Sequence, residues 1–194
     1  MPKVDGYLTR ERILEVSEKL FSEVGYDAAS VGSISKMASI NKATIYYHFK
    51  DKQSILYALY EKMIAEMAQR LTSQKEPVTD IKEKITKEIC FLREKKNIIS
   101  ILLMEAMKTN NDDTSLFRIA LSEIENEQRR APGIEHTEQY DMFLLHEFFT
   151  GIIPILNYIV LEDKYCAFFN IDKNTALEKF IETVFISHIQ SHIR

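Results

Sequence analysis

With 194 residues, 45% of them hydrophobic, the chain can form one compact domain or a small head on a larger body. A formal charge of −4 and a pI near 5.8 exclude a protein that is basic throughout, so any nucleic-acid contact must come from a local patch. The two cysteines, Cys90 and Cys166, share no partner pattern, which excludes a disulfide framework or a zinc site built on them and suits reduced thiols in a cytoplasm.

In chain order, the N-terminal stretch lacks the apolar run of a secretory leader. Helical periodicity dominates thereafter, and strand-type alternation is nearly absent. Thr9 is predicted to cap a first helix, Thr9 to Val24, with Ile13, Val16, Leu20, Phe21 and Val24 at three- and four-residue steps and Gly25 as the stop. Ser30 caps a short second helix with Val31, Ile34 and Ala38 on one face. Asn41 caps a third that ends near Phe49, and Asp51 caps a fourth running to about Ser73. Lys75-Glu76-Pro77 breaks the pattern. Beyond it, helices are predicted near Asp80 to Lys95, Asn97 to Lys108, Thr114 to Arg130, Thr137 to Asp163 and Lys173 to His192, with turns at Asn110 to Asp113, Ala131-Pro132-Gly133 and Asn170-Ile171-Asp172. The run Met142 to Leu161 is long enough to span a membrane, but it carries His146, Glu147, Asn157 and Pro154 and reads better as a buried bundle helix.

Charge singles out the first third of the chain. Within residues 1–60, eight Lys and Arg face seven Asp and Glu, so the rest carries the acidic excess. From Ala28 to Lys50 there is no carboxylate, while Lys36, Lys42 and Lys50 are present. The second and third helices, joined by a tight turn, form a helix-turn-helix candidate on this positive island. At about 100° per residue, Ile45 and Phe49 share a face that packs on Ile34 and Ala38. Ala43, Thr44 and Tyr47 then point away, with Tyr46 and His48 on the flanks. An apolar side that anchors and a small or hydrogen-bonding side that projects is what a major-groove helix requires. Ala43 suits a thymine methyl, Thr44, Tyr47 and His48 suit phosphates, and Lys42 leads the helix where base edges are read. Lys52 opens the fourth helix, whose N-terminal amides also favour a phosphate.

Catalytic patterns are weak. His146-Glu147 lacks the second histidine four residues on that a zinc-protease helix needs, and His188 with His192 lacks a third ligand nearby. There is no phosphate-cradling glycine loop and no Gly-x-Ser-x-Gly elbow. No catalytic residue, metal site or cofactor is expected.

Residues 9–60 resemble the DNA-binding head of TetR-family transcriptional regulators. The resemblance is carried by Thr9, Phe21, Gly25, Tyr26, Ser30, Thr44, Ile45, Tyr46, His48, Phe49 and Lys52. It implies that Ser30, Thr44, Tyr47, His48 and Lys52 meet phosphates while Lys42, Ala43 and Tyr46 lie at base edges. Gly32 departs from the family, where an arginine or other reading side chain is common, and Ser39 stands where glycine is usual in the turn. The resemblance further implies a two-fold dimer formed by the last two long helices. The final one shows Leu177, Phe180, Ile181, Val184, Phe185, Ile189 and Ile193 at helical spacing, more than a lone helix easily hides.

Met63, Met67, Phe91, Met104, Met107, Phe117, Phe143 and Phe148 are candidates to line an apolar effector cavity, and equally to be core. Glu105, on an apolar stripe, reads as a surface residue or as the partner of a cationic ligand. The expectation is an all-α protein of about nine helices. A helix-turn-helix head spans 1–51, and a ligand-binding and dimerisation body spans 52–194. The chain is expected to be a cytoplasmic regulator, most simply a repressor. Its partners are a palindromic double-stranded operator and an apolar or amphipathic small molecule, with no membrane. A helical enzyme or carrier, and a protein-docking module, are the competing readings.

Overall fold

In the computed structural model, residues 2–73, 81–108, 113–130 and 138–188 are described. The predicted breaks at 75–77, 110–112 and 131–133, the helix starts at Asp80 and Thr137, and the last helix beyond His188 lie outside them. Among the described residues there are nine helices and no strand.

The head comprises α1 (Pro2–Val24), α2 (Val31–Ala38) and α3 (Lys42–His48). Helix α1 begins seven residues before the predicted Thr9, because proline is well placed at a helix start and nothing breaks the run that follows. Thr9 is thus an interior residue. Gly25 ends α1 at φ 85°, its N–H donating to the Phe21 carbonyl. Ser30 caps α2 reciprocally with Ser33, and Asn41 accepts from the Ala43 N–H at the start of α3. Between them Ser39 holds φ 57°, a left-handed conformation in which a Cβ is unfavourable. Ser35 offsets this by donating its hydroxyl to the Ile40 carbonyl at 2.7 Å. Ile13, Leu14 and Phe21 of α1 are buried together with Ile34, Ile45 and Phe49 in one core.

That core continues into the body through Ile55, Leu56 and Leu59 of α4 (Lys52–Ser73). Asp51 caps α4 by accepting from the Ser54 N–H at 2.7 Å. The body adds α5 (Ile81–Glu94), α6 (Lys96–Ala106) and α7 (Ser115–Arg130). Helix α8 is one continuous element in three parts: α-helical over Glu138–His146, π-helical over Glu147–Ile152 and α-helical again over Ile153–Phe169. It runs beyond the predicted Asp163, to the turn that Asn170 closes at φ 51°. The last helix is α9 (Lys173–Ser187), capped by Asp172. Helix α6 buries Ile98, Ile99, Ile101, Leu102 and Leu103 at the centre, packed on α1, α5, α7 and α8.

The π-turn follows from Pro154. A proline donates no N–H, and its ring would strike the carbonyl four residues back, so the helix widens and Ile153 N–H bonds to Phe148, five residues earlier. The C-terminal half of α8 is fastened by charge. Buried Glu162 pairs with Arg93 of α5 and accepts from Tyr158 Oη at 2.6 Å, and Tyr158 stacks on Phe180 of α9 at 4.0 Å. Next to it, exposed Asp163 bridges Lys96 of α6 and Lys173 of α9.

Asp163 carries an acid-side prediction. The two lysines lower its pKa from 3.8 to about 2, so its contribution is complete above 3.8 and disappears as the pH falls through about 2. Asp163→Asn is expected to flatten stability against pH between about 4 and 2, with a small effect at neutrality because the bridge is solvent-screened. Urea melts across that range, comparing the slopes of the two proteins, check it.

Candidate nucleic-acid interface and its link to the body

Helix α3 is anchored from beneath. Ile45 is fully buried and Phe49, just past its end, is nearly so, while Arg10 of α1 lies 5.1 Å from the centre of the Phe49 ring. The opposite side projects. Ala43 and Lys42 are exposed, Tyr46 is more than half exposed, and Tyr47 reaches 85% exposure. Thr44 and His48 are half-buried, and His48 meets Tyr47 edge-on at 5.1 Å. Ser30 is exposed at the start of α2. The seven predicted residues other than Lys52 therefore lie on α3 or at the start of α2, each exposed or half-buried. Arg12 fixes the end of α2 to α1 by donating from Nε to the Ala38 carbonyl at 2.9 Å.

Lys52 is placed differently from the expectation of a phosphate contact. Its ammonium donates to the carbonyls of Tyr26 at 2.7 Å, Ala29 at 3.0 Å and Asp27 at 3.3 Å, and lies 4.2 Å from the centre of the Tyr26 ring. An ammonium has three donors, and these contacts occupy them. Partial burial lowers its pKa, with Asp27 and Glu105 opposing that shift. The side chain thus closes the α1–α2 loop.

A second link joins this loop to the body. Lys108, just past α6, reaches both carboxylate oxygens of Asp27 at 2.8 Å and Glu105 Oε1 at 2.7 Å. Lys108 holds the Asp27 carboxyl below the usual carboxylate range. Glu105 is only 7% exposed, so the surface position favoured for it is corrected. The signal was present, because Ile98, Ile101, Leu102 and Glu105 share one helical face. The Asp27–Lys108 pair, 81 residues apart, left no such trace.

The eight cavity candidates do not converge. Met63 and Phe91 are buried, and Met67, Phe143 and Phe148 are half-buried. Met104, Met107 and Phe117 are exposed by 65%, 72% and 54%, so an enclosed lining for these three is corrected. In a run such as Ile101 to Met107, nearly every residue is apolar, and composition does not say which side faces in. Phe117 stacks on Phe148 at 5.3 Å, at the edge of the α7–α8 contact. Outside the head, α8 was expected to be buried, yet only 22% of its most apolar window is. Met142, Leu145, Phe149, Leu161, Tyr165 and Phe168 are exposed along it, and Ile186 on α9.

Residues 13–59 match the family model of bacterial regulatory proteins, tetR family. Over these residues the head is similar to that of TetR-family regulators. The head is 39% identical over 59 residues to the HTH-type transcriptional regulator AcrR of Shigella flexneri, a match covering 30% of this chain and 27% of that protein. The chain spans about a quarter to a half of the length of the curated relatives it matches. Its fold as a whole is similar to solved TetR-family structures. A TetR family transcription regulator from Marinobacter aquaeolei VT8 superposes with a TM-score of 0.65 at 17% identity, covering 96% of this chain and 98% of that one. FadR from Bacillus subtilis, solved in complex with stearoyl-CoA, superposes with a TM-score of 0.60 at 19% identity, covering 90% and 96%.

Proposed function

We propose that the chain is a ligand-responsive, DNA-binding transcriptional regulator, a repressor that leaves its operator when a small molecule occupies the body. The observation that carries this reading is α3, with Ile45 and Phe49 buried beneath it and Lys42, Ala43, Tyr46 and Tyr47 projecting from a surface free of carboxylates between Ala28 and Lys50. In this reading 1–51 grips DNA and 52–194 binds effector and partner, in the cytoplasm where the operator is. Ser30, Thr44, Tyr47 and His48 serve phosphates, and Lys42, Ala43 and Tyr46 lie at base edges.

The exposed stripe of α8 together with α9 supports a two-fold homodimer. A dimer sets two α3 helices in successive major grooves, roughly 34 to 36 Å apart, on a near-palindromic operator. The effector is apolar or amphipathic, and the buried Met63 and Phe91, with Met67, Phe143 and Phe148 beside the core, support its placement in the body. Its occupancy reaches the head by two routes, along α4 and through Lys108 to the Asp27 loop, so that a shift of α6 changes the separation of the two heads. The coupling is reciprocal, typically about 1 to 3 kcal/mol.

Selecting bound duplexes from native genomic DNA is expected to recover near-palindromes. Stearoyl-CoA, bound by the similar FadR fold, is the first compound to titrate with and without the recovered operator. Weaker ligand binding in the presence of operator is expected of an effector. Failure to enrich any duplex, with no salt-sensitive DNA affinity, would return the chain to the carrier or docking readings.

A further inference from the structure

The first turns of α2 and α3 meet at Gly32. A Cβ built there would lie 3.2 Å from both Cε and Nζ of Lys42 and 3.5 Å from Ser30 Oγ. The Lys42 side chain therefore runs back from the start of α3 across the first turn of α2. It fills the volume that a side chain at position 32 would otherwise occupy. Glycine is not required there by the backbone, since the only described glycine with positive φ is Gly25. Inside a helix it is also a poorer choice than alanine. What Gly32 supplies is space, and Lys42 uses it.

We propose that Gly32 is a specificity-determining residue for DNA, clearing the seat from which the Lys42 ammonium reads a guanine in the major groove. The proposal rests on the DNA-binding reading above and names what that surface recognises. An ammonium only donates. Guanine offers two neighbouring acceptors in the major groove, O6 and N7, whereas adenine sets a donor beside its N7 and thymine a methyl beside its O4. No carboxylate from Ala28 to Lys50 competes for the charge, and no hydrogen bond or ion pair to another described residue holds it. The loss of a reading side chain from α2 is thereby made good from α3, by a lysine whose far end lies where that side chain would begin. Because the atoms in the way are the tip of a flexible side chain, a methyl at position 32 shifts the ammonium from its seat by a few tenths of an ångström and leaves the fold in place.

The test is selection of duplexes from a random library by four full-length proteins: wild type, Lys42→Ala, Lys42→Arg and Gly32→Ala. Wild type is expected to enrich G·C at one symmetric pair of positions. Lys42→Ala loses that preference alone, and Lys42→Arg keeps it. Gly32→Ala weakens it about tenfold at the same pair, with the rest of the site unchanged. Its melting temperature is at or above that of wild type, since alanine favours the helix. Wild-type preferences in Gly32→Ala, a loss spread evenly over the site, or a Lys42→Ala change at a different pair overturns the proposal. A wild-type protein that enriches no duplex overturns the DNA-binding reading, and this proposal with it.

Discussion

Phe149→Asp is expected to convert the protein to monomers and to lower operator affinity by about a hundredfold or more, with the helix content unchanged. Met142, Leu145 and Phe149 form an exposed apolar stripe at three- and four-residue steps on the first half of α8, and Leu161, Tyr165 and Phe168 form another on the second half. Phe149 and Leu161 are twelve residues apart, one more than three regular turns, which would swing the second stripe away from the first. The π-turn over Glu147–Ile152 absorbs the extra residue and brings the two stripes toward one side. A single long apolar face results, and two copies can cover it about a two-fold axis. An aspartate at its centre is buried twice in such a dimer without a partner, at a cost of several kcal/mol for each copy. In the isolated protomer the same position is exposed, so the fold is unaffected. Sedimentation equilibrium at micromolar concentration measures the assembly, and circular dichroism the fold. A dimer that persists in Phe149→Asp would place the interface elsewhere.

Lys52→Ala is expected to lower unfolding free energy by about 2 to 3 kcal/mol while leaving the salt dependence of DNA binding unchanged. Its ammonium draws the carbonyls of Tyr26, Asp27 and Ala29 together beneath α4, and truncation removes charge-assisted hydrogen bonds, of which those to Tyr26 and Ala29 are partly buried. A lysine that gripped phosphate would behave in the opposite way. Its loss would scarcely alter stability and would reduce the salt slope by about one unit in each subunit. Urea unfolding and a salt titration of operator binding separate the two. A reduced slope with an unchanged urea midpoint would mean that the side chain leaves the loop when DNA binds.

Much of this protein is determined by local sequence. The caps Ser30, Asn41, Asp51 and Asp172 are side-chain oxygens within three residues of the amides they satisfy, so helix starts are legible from composition alone. The outward side of α3 was equally legible, since in seven residues anchored by Ile45 the helical period leaves little choice of face. What fails locally is anything that depends on a distant partner. The extension of α1 to Pro2 and of α8 to Phe169 had no breaker to mark it, and the exposure of Met104, Met107 and Phe117 was decided by which neighbours α6 and α7 found.

The charged residues show the division most sharply. Lys52 in its motif has the chemistry of a phosphate ligand, and only the loop folded over it, some 25 residues earlier in the chain, assigns its donors to carbonyls. Nothing in the sequence pairs Lys42 with Gly32 ten residues away; they become neighbours because Ser39 turns the backbone left-handed between their helices. Periodicity and capping act over one helical turn, so sequence determines them. The partner of a long flexible cation is set by tertiary packing, because its stem reaches several candidates and only the fold selects among them.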